Sequence, residues 1–214
     1  MRKSFAVLGM GKFGQSICVE LSKMGAEVLA VDQDEDLVDQ VKDQVERAAV
    51  ADLCDPESIK KLGVADMDTV IVTMSTSMEA SILCCMVSKE AGVRHVVAKA
   101  KDHLMGQILQ RVGADEVIYP EEESAKRNAF RLISPDIRDF FNIQDVLSLV
   151  EIVPKPAWIG HNLIELNLRR KFGMNIIGVK INGKDIENPD PERNLEGTDT
   201  LLVIMKKSDV SNVI

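Results

Sequence analysis

The 214-residue sequence has no apolar run approaching the roughly 20 residues that a membrane-spanning helix needs. It also lacks an excess of basic residues, because its formal net charge is −8. A protein that binds nucleic-acid backbones needs a basic face, so this balance argues against nucleic acid as the main partner. The sequence therefore predicts a protein that neither inserts directly into the membrane nor binds nucleic acid.

Cysteine and histidine are scarce, and neither is spaced as a set of metal ligands. The cysteines are Cys18, Cys54, Cys84 and Cys85, and the histidines are His95, His103 and His161. Adjacent cysteines on a helix point in different directions, so we interpret Cys84 and Cys85 as small apolar residues. Reduced thiols are typical of a cytosolic protein.

One strongly patterned segment lies near the start of the sequence. An apolar run from Ser4 to Leu8 predicts a buried strand, and residues 14–24 predict a helix. The residues that join them are Gly9-Met10-Gly11-Lys12-Phe13-Gly14, and the next apolar run, residues 28–31, ends in Asp32. A GxGxxG motif indicates a nucleotide site when a strand, a helix and a downstream acid surround it in this way.

The residue types of this motif suit the phosphates and the ribose of a nucleotide. Gly9, Gly11 and Gly14 allow a sharp turn and a close approach of the backbone to phosphate, beside the N–H groups of a helix N-terminus. Asp32 is placed to accept hydrogen bonds from a ribose diol, and its charge disfavours NADP. The alternatives are a tight turn without a ligand for the glycines and a polar strand end for Asp32.

Further candidates for the same site follow other predicted strands. Lys12 either contacts a phosphate or is a solvated surface lysine. Asp52 either holds ribose or the adenine edge, or belongs to a helix-capping segment. Met74 and Ser75 either line the crevice or lead into the next helix. The remaining predicted binding residues lie in the glycine loop or near strand ends: Met10, Phe13, Gln33, Leu53 and Lys99.

The first 119 residues alternate apolar runs with amphipathic helical patterns. Strands rich in Val and Ile, each followed by a helix, predict right-handed βαβ units and a parallel sheet covered on both faces. The predicted strands are residues 5–8, 28–31, 48–50, 69–73, 96–98 and 116–119. We therefore predict an α/β fold, with a Rossmann-like doubly wound parallel sheet as the first domain, residues 1–119.

The pattern changes after Tyr119. Three glutamates at 121–123 open a predicted helix, and Pro135 closes it. Residues 136–145 are predicted to be a connector. We therefore assign 120–145 to a crossover helix and linker. Residues 146–214 predict a small α+β domain with strands at 146–153, 175–181 and 201–205 and a helix at 163–170. Asn182-Gly183 predicts a hairpin after the second of these strands.

No arrangement of catalytic residues accompanies the predicted nucleotide site. A dehydrogenase needs a proton donor or acceptor near the nicotinamide. No Tyr-x-x-x-Lys, paired histidine and acid, or Ser–His arrangement stands out in the second domain. The sequence therefore predicts a binding module rather than an enzyme, with an NAD-dependent oxidoreductase as the alternative.

Several longer segments carry a family resemblance. In the first half they are FAVLGMGKFG at 5–14, VLAVD at 28–32 and GADEVIYPE at 113–121, and in the second half IGHNLIELNLRRKFGMNIIG at 159–178 and EGTDTLLVI at 196–204. With these segments the whole chain resembles the regulatory subunits of bacterial potassium uptake systems of the Ktr and Trk type. Those subunits are built from RCK domains, with an RCK N-terminal nucleotide-binding domain and an RCK C-terminal (TrkA-C) domain.

The resemblance implies a cytoplasmic protein that lies on the inner face of the membrane beneath a membrane-embedded potassium transporter subunit of the KtrB or TrkH type. It implies dimers that assemble into an octameric ring and open or close the transporter as nucleotides exchange. ATP and ADP are the implied ligands, and related members also bind NAD(H). A free-standing nucleotide sensor without a transporter is an alternative that the sequence leaves open.

The resemblance also implies roles for individual residues. Gly9, Gly11 and Gly14 would hold phosphates, Asp32 and Asp52 would hold ribose and base, and Glu121 would help to place a divalent or sodium ion. Cyclic di-AMP would bind the second domain at Arg169, Asn175, Ile176, Ile177 and Pro191. Members of the Ktr branch usually carry arginine at the position of Lys12, and lysine keeps the charge but loses the bidentate fork.

Overall fold

The computed structural model describes residues 2–74, 76–143 and 146–210. The chain divides into two compact units, Met1–Glu121 and Glu122–Ile214. Across the described residues, no helix is both long enough and apolar enough to cross a membrane.

The first unit is built on a parallel sheet. Its strands follow the order β3-β2-β1-β4-β5-β6. Their bounds are β1 Ser4–Leu8, β2 Glu27–Asp32, β3 Arg47–Val50, β4 Thr69–Val72, β5 His95–Lys99 and β6 Glu116–Ile118. The predicted Rossmann-like fold class is confirmed, because this is the strand order of a doubly wound sheet.

Helices join the strands of this sheet. They are α1 Lys12–Lys23, α2 Glu35–Asp39, α3 Pro56–Lys61, α4 Met78–Glu90 and α5 His103–Arg111. The side chains of Asp34, Asp55, Ser77 and Asp102 cap the last four by accepting backbone N–H groups, which explains where these helices begin. Helix α1 begins two residues earlier than predicted, directly after Gly11.

Apolar side chains cover both faces of the sheet. One cluster packs around Leu8, Val31 and Val72, and another, on different side chains of the same strands, packs around Val7, Ala30 and Ile71. Successive residues of a strand point to opposite faces, so continuous apolar runs form two cores. The sheet therefore supplies a rigid frame for the loops at its carboxyl edge.

The second unit contains an antiparallel sheet with the strand order β10-β9-β11-β8-β7. The strand bounds are β7 Ile137–Asn142, β8 Leu147–Ile152, β9 Asn175–Lys180, β10 Ile186–Glu187 and β11 Thr200–Lys206. Helix α6, Pro120–Ile133, begins in the first unit. The short helices are α7 Leu163–Leu166, α8 Leu168–Phe172 and α9 Lys207–Val210.

The sequence prediction for residues 137–142 is wrong. The pattern predicts a connector, whereas these residues form β7, which pairs with β8. Phe140 is only 2% exposed and stacks on Phe130 of α6 with ring centroids 3.9 Å apart. The strand carries a register shift between Ile137 and Asp139, which breaks the alternation that a sequence pattern relies on.

The predicted helix at 163–170 is also corrected. Asn167 has a left-handed φ of 47° and divides the segment into α7 and α8. An asparagine side chain tolerates this conformation better than most. The hairpin at Asn182-Gly183 is confirmed, because both residues have positive φ and β9 pairs with β10 after the turn.

Adjacent phenylalanines allow a direct test of β7. Phe140→Ala is expected to lower the free energy of unfolding by about 3–5 kcal/mol, because it empties a buried, stacked site. Phe141 is 43% exposed and contacts the Arg127 guanidinium, so Phe141→Ala is expected to cost about 1 kcal/mol. Denaturant unfolding of both variants measures the difference, and equal losses would contradict the strand.

Candidate nucleotide-binding site

A cleft opens at the carboxyl edge of the parallel sheet, where the strand order reverses between β1 and β4. This crevice is where open α/β sheets bind ligands. Its volume is about 440 Å³, within the usual range of ligand sites. The lining residues all belong to the first unit: Gly9, Gly11, Lys12, Phe13, Asp32, Gln33, Asp34, Leu37, Leu53, Cys54, Thr73, Met74, Thr76, Ser77, Ala80, Lys99 and Glu121.

Each of the three glycine positions in the loop favours glycine for a different structural reason. Gly9 adopts φ +105°, which favours glycine. A Cβ on Gly14 would lie 2.0 Å from the carbonyl oxygen of Gly9, so only glycine lets α1 pack against the loop. A Cβ on Gly11 would meet nothing within 4 Å. Gly11 therefore leaves open space in the cleft, as a backbone that receives a phosphate requires.

Asp32 holds the glycine loop through backbone hydrogen bonds. Its Oδ2 accepts the N–H of Met10 at 2.5 Å, and its Oδ1 accepts the N–H of Asp34 at 3.0 Å. The N–H of Gly9 donates to the carbonyl of Val31 at 2.7 Å. An ionised carboxylate has about four lone-pair sites, so Asp32 retains the capacity to accept hydroxyl groups.

The N-terminus of α1 opens into the same cleft. Gly11 is the N-cap, and among the described residues no side chain caps its N–H groups. The first-turn N–H groups of a helix lack intrahelical partners and carry a partial positive charge. The exposed Lys12 adds a full positive charge there. These groups and the open space at Gly11 fit a phosphate, and Asp32 fits a ribose.

A second cation lies at the end of β5. The Lys99 side chain is 8% exposed, and its Nζ is 2.5 Å from Oε1 of Glu121 and 5.6 Å from the Phe13 ring centroid. The Lys99 ammonium holds the pKa of the Glu121 carboxyl below its usual value, although burial opposes this shift. Glu121 is therefore an ionised partner that compensates a buried ammonium.

Two family models match the chain. The TrkA-N domain matches residues 5–120, and the TrkA-C domain matches residues 147–214. The Ktr system potassium uptake protein C of Bacillus subtilis (strain 168) is 37% identical over 211 residues, covering 99% of this chain and 96% of the relative. This chain belongs to the Ktr potassium uptake protein family.

A second relative agrees with this assignment, and two solved structures share the fold. The Ktr system potassium uptake protein A of Vibrio alginolyticus is 34% identical over 210 residues, covering 98% of this chain and 96% of the relative. The crystal structure of the GsuK RCK domain matches with a TM-score of 0.69 at 20% identity, over 100% of this chain and 47% of that chain. The structure of the GsuK channel bound to NAD matches with a TM-score of 0.65 at 19% identity, over 98% of this chain and 38% of that chain. These two structures show the shared RCK fold.

The cleft of this Ktr-family chain brings together many of the predicted binding residues. In its lining are Gly9, Gly11, Lys12, Phe13, Asp32, Gln33, Leu53, Met74, Lys99 and Glu121. Met10 is buried and reaches Asp32 through its backbone N–H, and Gly14 is buried beneath the loop. Asp52 is exposed, outside this lining, and accepts the N–H of Cys54 at 2.8 Å. Ser75 lies outside the described residues.

Several lining residues were missed by sequence reasoning. Most of them lie in the loops that follow strands of the sheet: Asp34, Cys54, Thr73, Thr76 and Ser77. The other two lie on the helices after those loops, Leu37 on α2 and Ala80 on α4. Asp34 and Ser77 cap α2 and α4, and capping residues before a helix are a recognisable sequence signal. Thr73 has no such signal, because a β-branched residue after Val72 reads simply as more strand.

Glu121 is the one residue that the resemblance predicts as an ion ligand. Among the described residues, no group of three or more His, Cys, Asp or Glu side chains is arranged to hold a metal. Glu121 contacts Lys99 instead. Magnesium is often bound by one carboxylate together with substrate phosphates, so the role of Glu121 stays a prediction that depends on a bound phosphate.

The residues predicted for cyclic di-AMP all belong to the second unit. Arg169 is exposed on α8, and Asn175, Ile176 and Ile177 open β9 directly after it. Pro191 is exposed between β10 and β11. The first four therefore lie on consecutive elements, and their ligand stays a prediction.

The glycines allow a stability test of the loop geometry. Gly14→Ala is expected to lower the free energy of unfolding by about 3 kcal/mol, because its Cβ would displace the Gly9 carbonyl. Gly11→Ala, with open space at the Cβ, is expected to change it by about 1 kcal/mol or less. Thermal unfolding of the two variants measures the contrast, and a harmless Gly14→Ala would refute the packing.

Proposed function

We propose that this chain is the nucleotide-responsive regulatory subunit of a potassium transporter. The observation that carries the proposal is the cleft at the sheet edge, where the uncapped N-terminus of α1, the open space at Gly11 and the Asp32 carboxylate converge. This combination suits an adenine nucleotide, and the potassium uptake relatives provide the context in which such a nucleotide would act.

The ligands proposed for the cleft are ATP and ADP, with NAD(H) as a further ligand. The first-turn N–H groups of α1, Lys12 and Lys99 would bind phosphates, and Asp32 would orient the ribose. The negative charge of Asp32 would repel the 2′-phosphate of NADP. Lys12 lacks the planar fork of an arginine. It would therefore attract the terminal phosphate as a single point charge, without bidentate hydrogen bonds. Glu121 would share a divalent or sodium ion with the phosphates.

The proposed role is binding rather than catalysis. The ionisable side chains of the lining include Asp32, which two backbone N–H groups occupy, and Lys99 with Glu121, which neutralise one another. These three groups would position a ligand without presenting a free acid or base to it. Turnover of NADH with candidate substrates, followed by absorbance, would favour the oxidoreductase alternative.

The proposed partner is a membrane-embedded potassium transporter subunit of the KtrB or TrkH type. The chain would form dimers that assemble into an octameric ring on the inner face of the membrane, and the ring would change shape as nucleotides exchange. A nearly complete switch between two shapes needs roughly 5.5 kcal/mol of differential binding. Eight equivalent sites would each supply about 0.7 kcal/mol, which is modest for one phosphate group. Cyclic di-AMP would be a second ligand of the ring, at Arg169 and the start of β9.

Asp32→Ala is expected to weaken adenine nucleotide binding at least about tenfold, because it removes both the ribose acceptor and a hydrogen bond to the loop. Calorimetric titration of ATP, ADP, NAD, NADH and cyclic di-AMP measures affinity, and light scattering on the same samples measures particle mass. Asp39→Asn removes a carboxylate charge outside the cleft lining and serves as the control. Unchanged affinity in Asp32→Ala would remove Asp32 from the site.

The transporter role has its own test. Potassium flux into vesicles that contain the KtrB- or TrkH-type subunit from the same cell is expected to require this chain and to change when ATP replaces ADP. Co-purification of the two proteins from the native membrane measures the contact directly. Nucleotide binding without co-purification and without any effect on flux would support a free-standing sensor instead.

A further inference from the structure

Thr73 is a buried polar residue that sequence reasoning did not assign to the site. It follows β4 directly, is 6% exposed and lines the cleft. Its backbone N–H donates to the carbonyl of Leu8 at 2.9 Å, which extends the pairing between β4 and β1 by one residue. This bond holds Thr73 beside the point where β1 ends and the glycine loop begins.

The Thr73 hydroxyl reaches the glycine loop itself. Its Oγ1 donates to the carbonyl oxygen of Gly9 at 2.6 Å and lies 3.1 Å from that of Leu8. A hydroxyl has one proton, so the shorter contact, to Gly9, is the main hydrogen bond. The bond is buried, and the loss of its donor would leave a buried carbonyl without this partner.

This hydrogen bond sets the direction of a peptide dipole in the loop. The carbonyl oxygen of Gly9 lies between Thr73 Oγ1 and the backbone of Gly14, under the first turn of α1. The N–H of the same peptide, on Met10, is held by Asp32. A carbonyl oxygen that turned into the cleft would repel an anion, whereas one held under the helix leaves the N–H groups of α1 to face it.

We propose that Thr73 is a positioning residue for phosphate binding: its hydroxyl holds the Gly9 carbonyl away from the cleft and keeps the glycine loop in the conformation that receives a phosphate. This inference rests on the proposed nucleotide-binding function. Thr73 acts through the loop, so its effect is specific to ligands that carry phosphate. Adenosine, which has a ribose but no phosphate, is expected to bind without needing the loop in this conformation.

Three substitutions isolate the hydroxyl group. Thr73→Val keeps the shape and removes the hydroxyl, Thr73→Ser keeps the hydroxyl and removes the methyl group, and Thr73→Ala removes both. Thr69→Val is the matched control, because it is the same substitution at the opposite end of β4. Calorimetry with ATP, ADP and adenosine gives the affinities, and thermal unfolding confirms that each variant is folded.

Thr73→Val and Thr73→Ala are expected to weaken ATP and ADP binding about tenfold, which is the effect of losing one buried hydrogen bond. Thr73→Ser and Thr69→Val are expected to stay within about threefold of the unsubstituted chain, and adenosine affinity is expected to change less than about threefold in every variant. If Thr73→Val does not fold, the comparison of Thr73→Ala with Thr73→Ser decides the question.

Two results would overturn the inference about Thr73. One is equal ATP affinity in Thr73→Ala and Thr73→Ser, and the other is a loss of adenosine affinity as large as that of ATP, which would indicate a general structural role. Failure of the unsubstituted, folded chain to bind any adenine nucleotide would instead contradict the proposed function itself. The two failures are therefore distinguished in the same titrations.

Discussion

The geometry of the cleft depends on one peptide bond, which joins Gly9 to Met10. Its N–H donates to Asp32 at the end of β2, and its carbonyl accepts from Thr73 just after β4. Both partners are within reach only because β1 lies between β2 and β4 in the parallel sheet. The order of the strands, together with the glycines of the loop, therefore fixes the loop and the direction in which α1 begins.

The same hydrogen bonds decide the electrostatic character of the cleft. The chain as a whole carries a net charge of −8, yet the cleft contains the α1 N-terminus, Lys12 and the nearly buried Lys99. Its carboxylates are engaged by donors: Asp32 and Asp34 by backbone N–H groups and Glu121 by Lys99. The hydrogen bond from Lys99 lowers the pKa of Glu121, and the N–H groups of α1 together with the ammonium groups give the cleft its positive character.

The first unit could be predicted from its sequence because its rules are local. Apolar runs, capping residues and the Gly9–Gly14 motif can each be recognised from spacing, and the motif and Asp32 lie at the sheet edge where the cleft opens. Two of the errors arose where distant contacts decide the local structure. Phe140 joins a strand because it stacks on Phe130 and pairs with β8. The break at Asn167 is local instead: its left-handed φ interrupts a helix whose apolar pattern continues. Thr73 was missed because its hydroxyl finds its partner 64 residues away, across a strand pairing that periodicity does not reveal.

Helix α6 makes contacts at both of its ends. Its first turn contributes Glu121, which is ionised beside Lys99 in the cleft, and its later turns contribute Arg127 and Phe130, which pair with Asp139 and Phe140 of β7. A ligand biases two states only through groups with which it interacts differently in each. On the proposed function, a phosphate that competes for the Lys99 ammonium weakens the hold of that ammonium on Glu121. The free energy of phosphate binding would then depend on the cost of separating Lys99 from Glu121, in the first turn of α6.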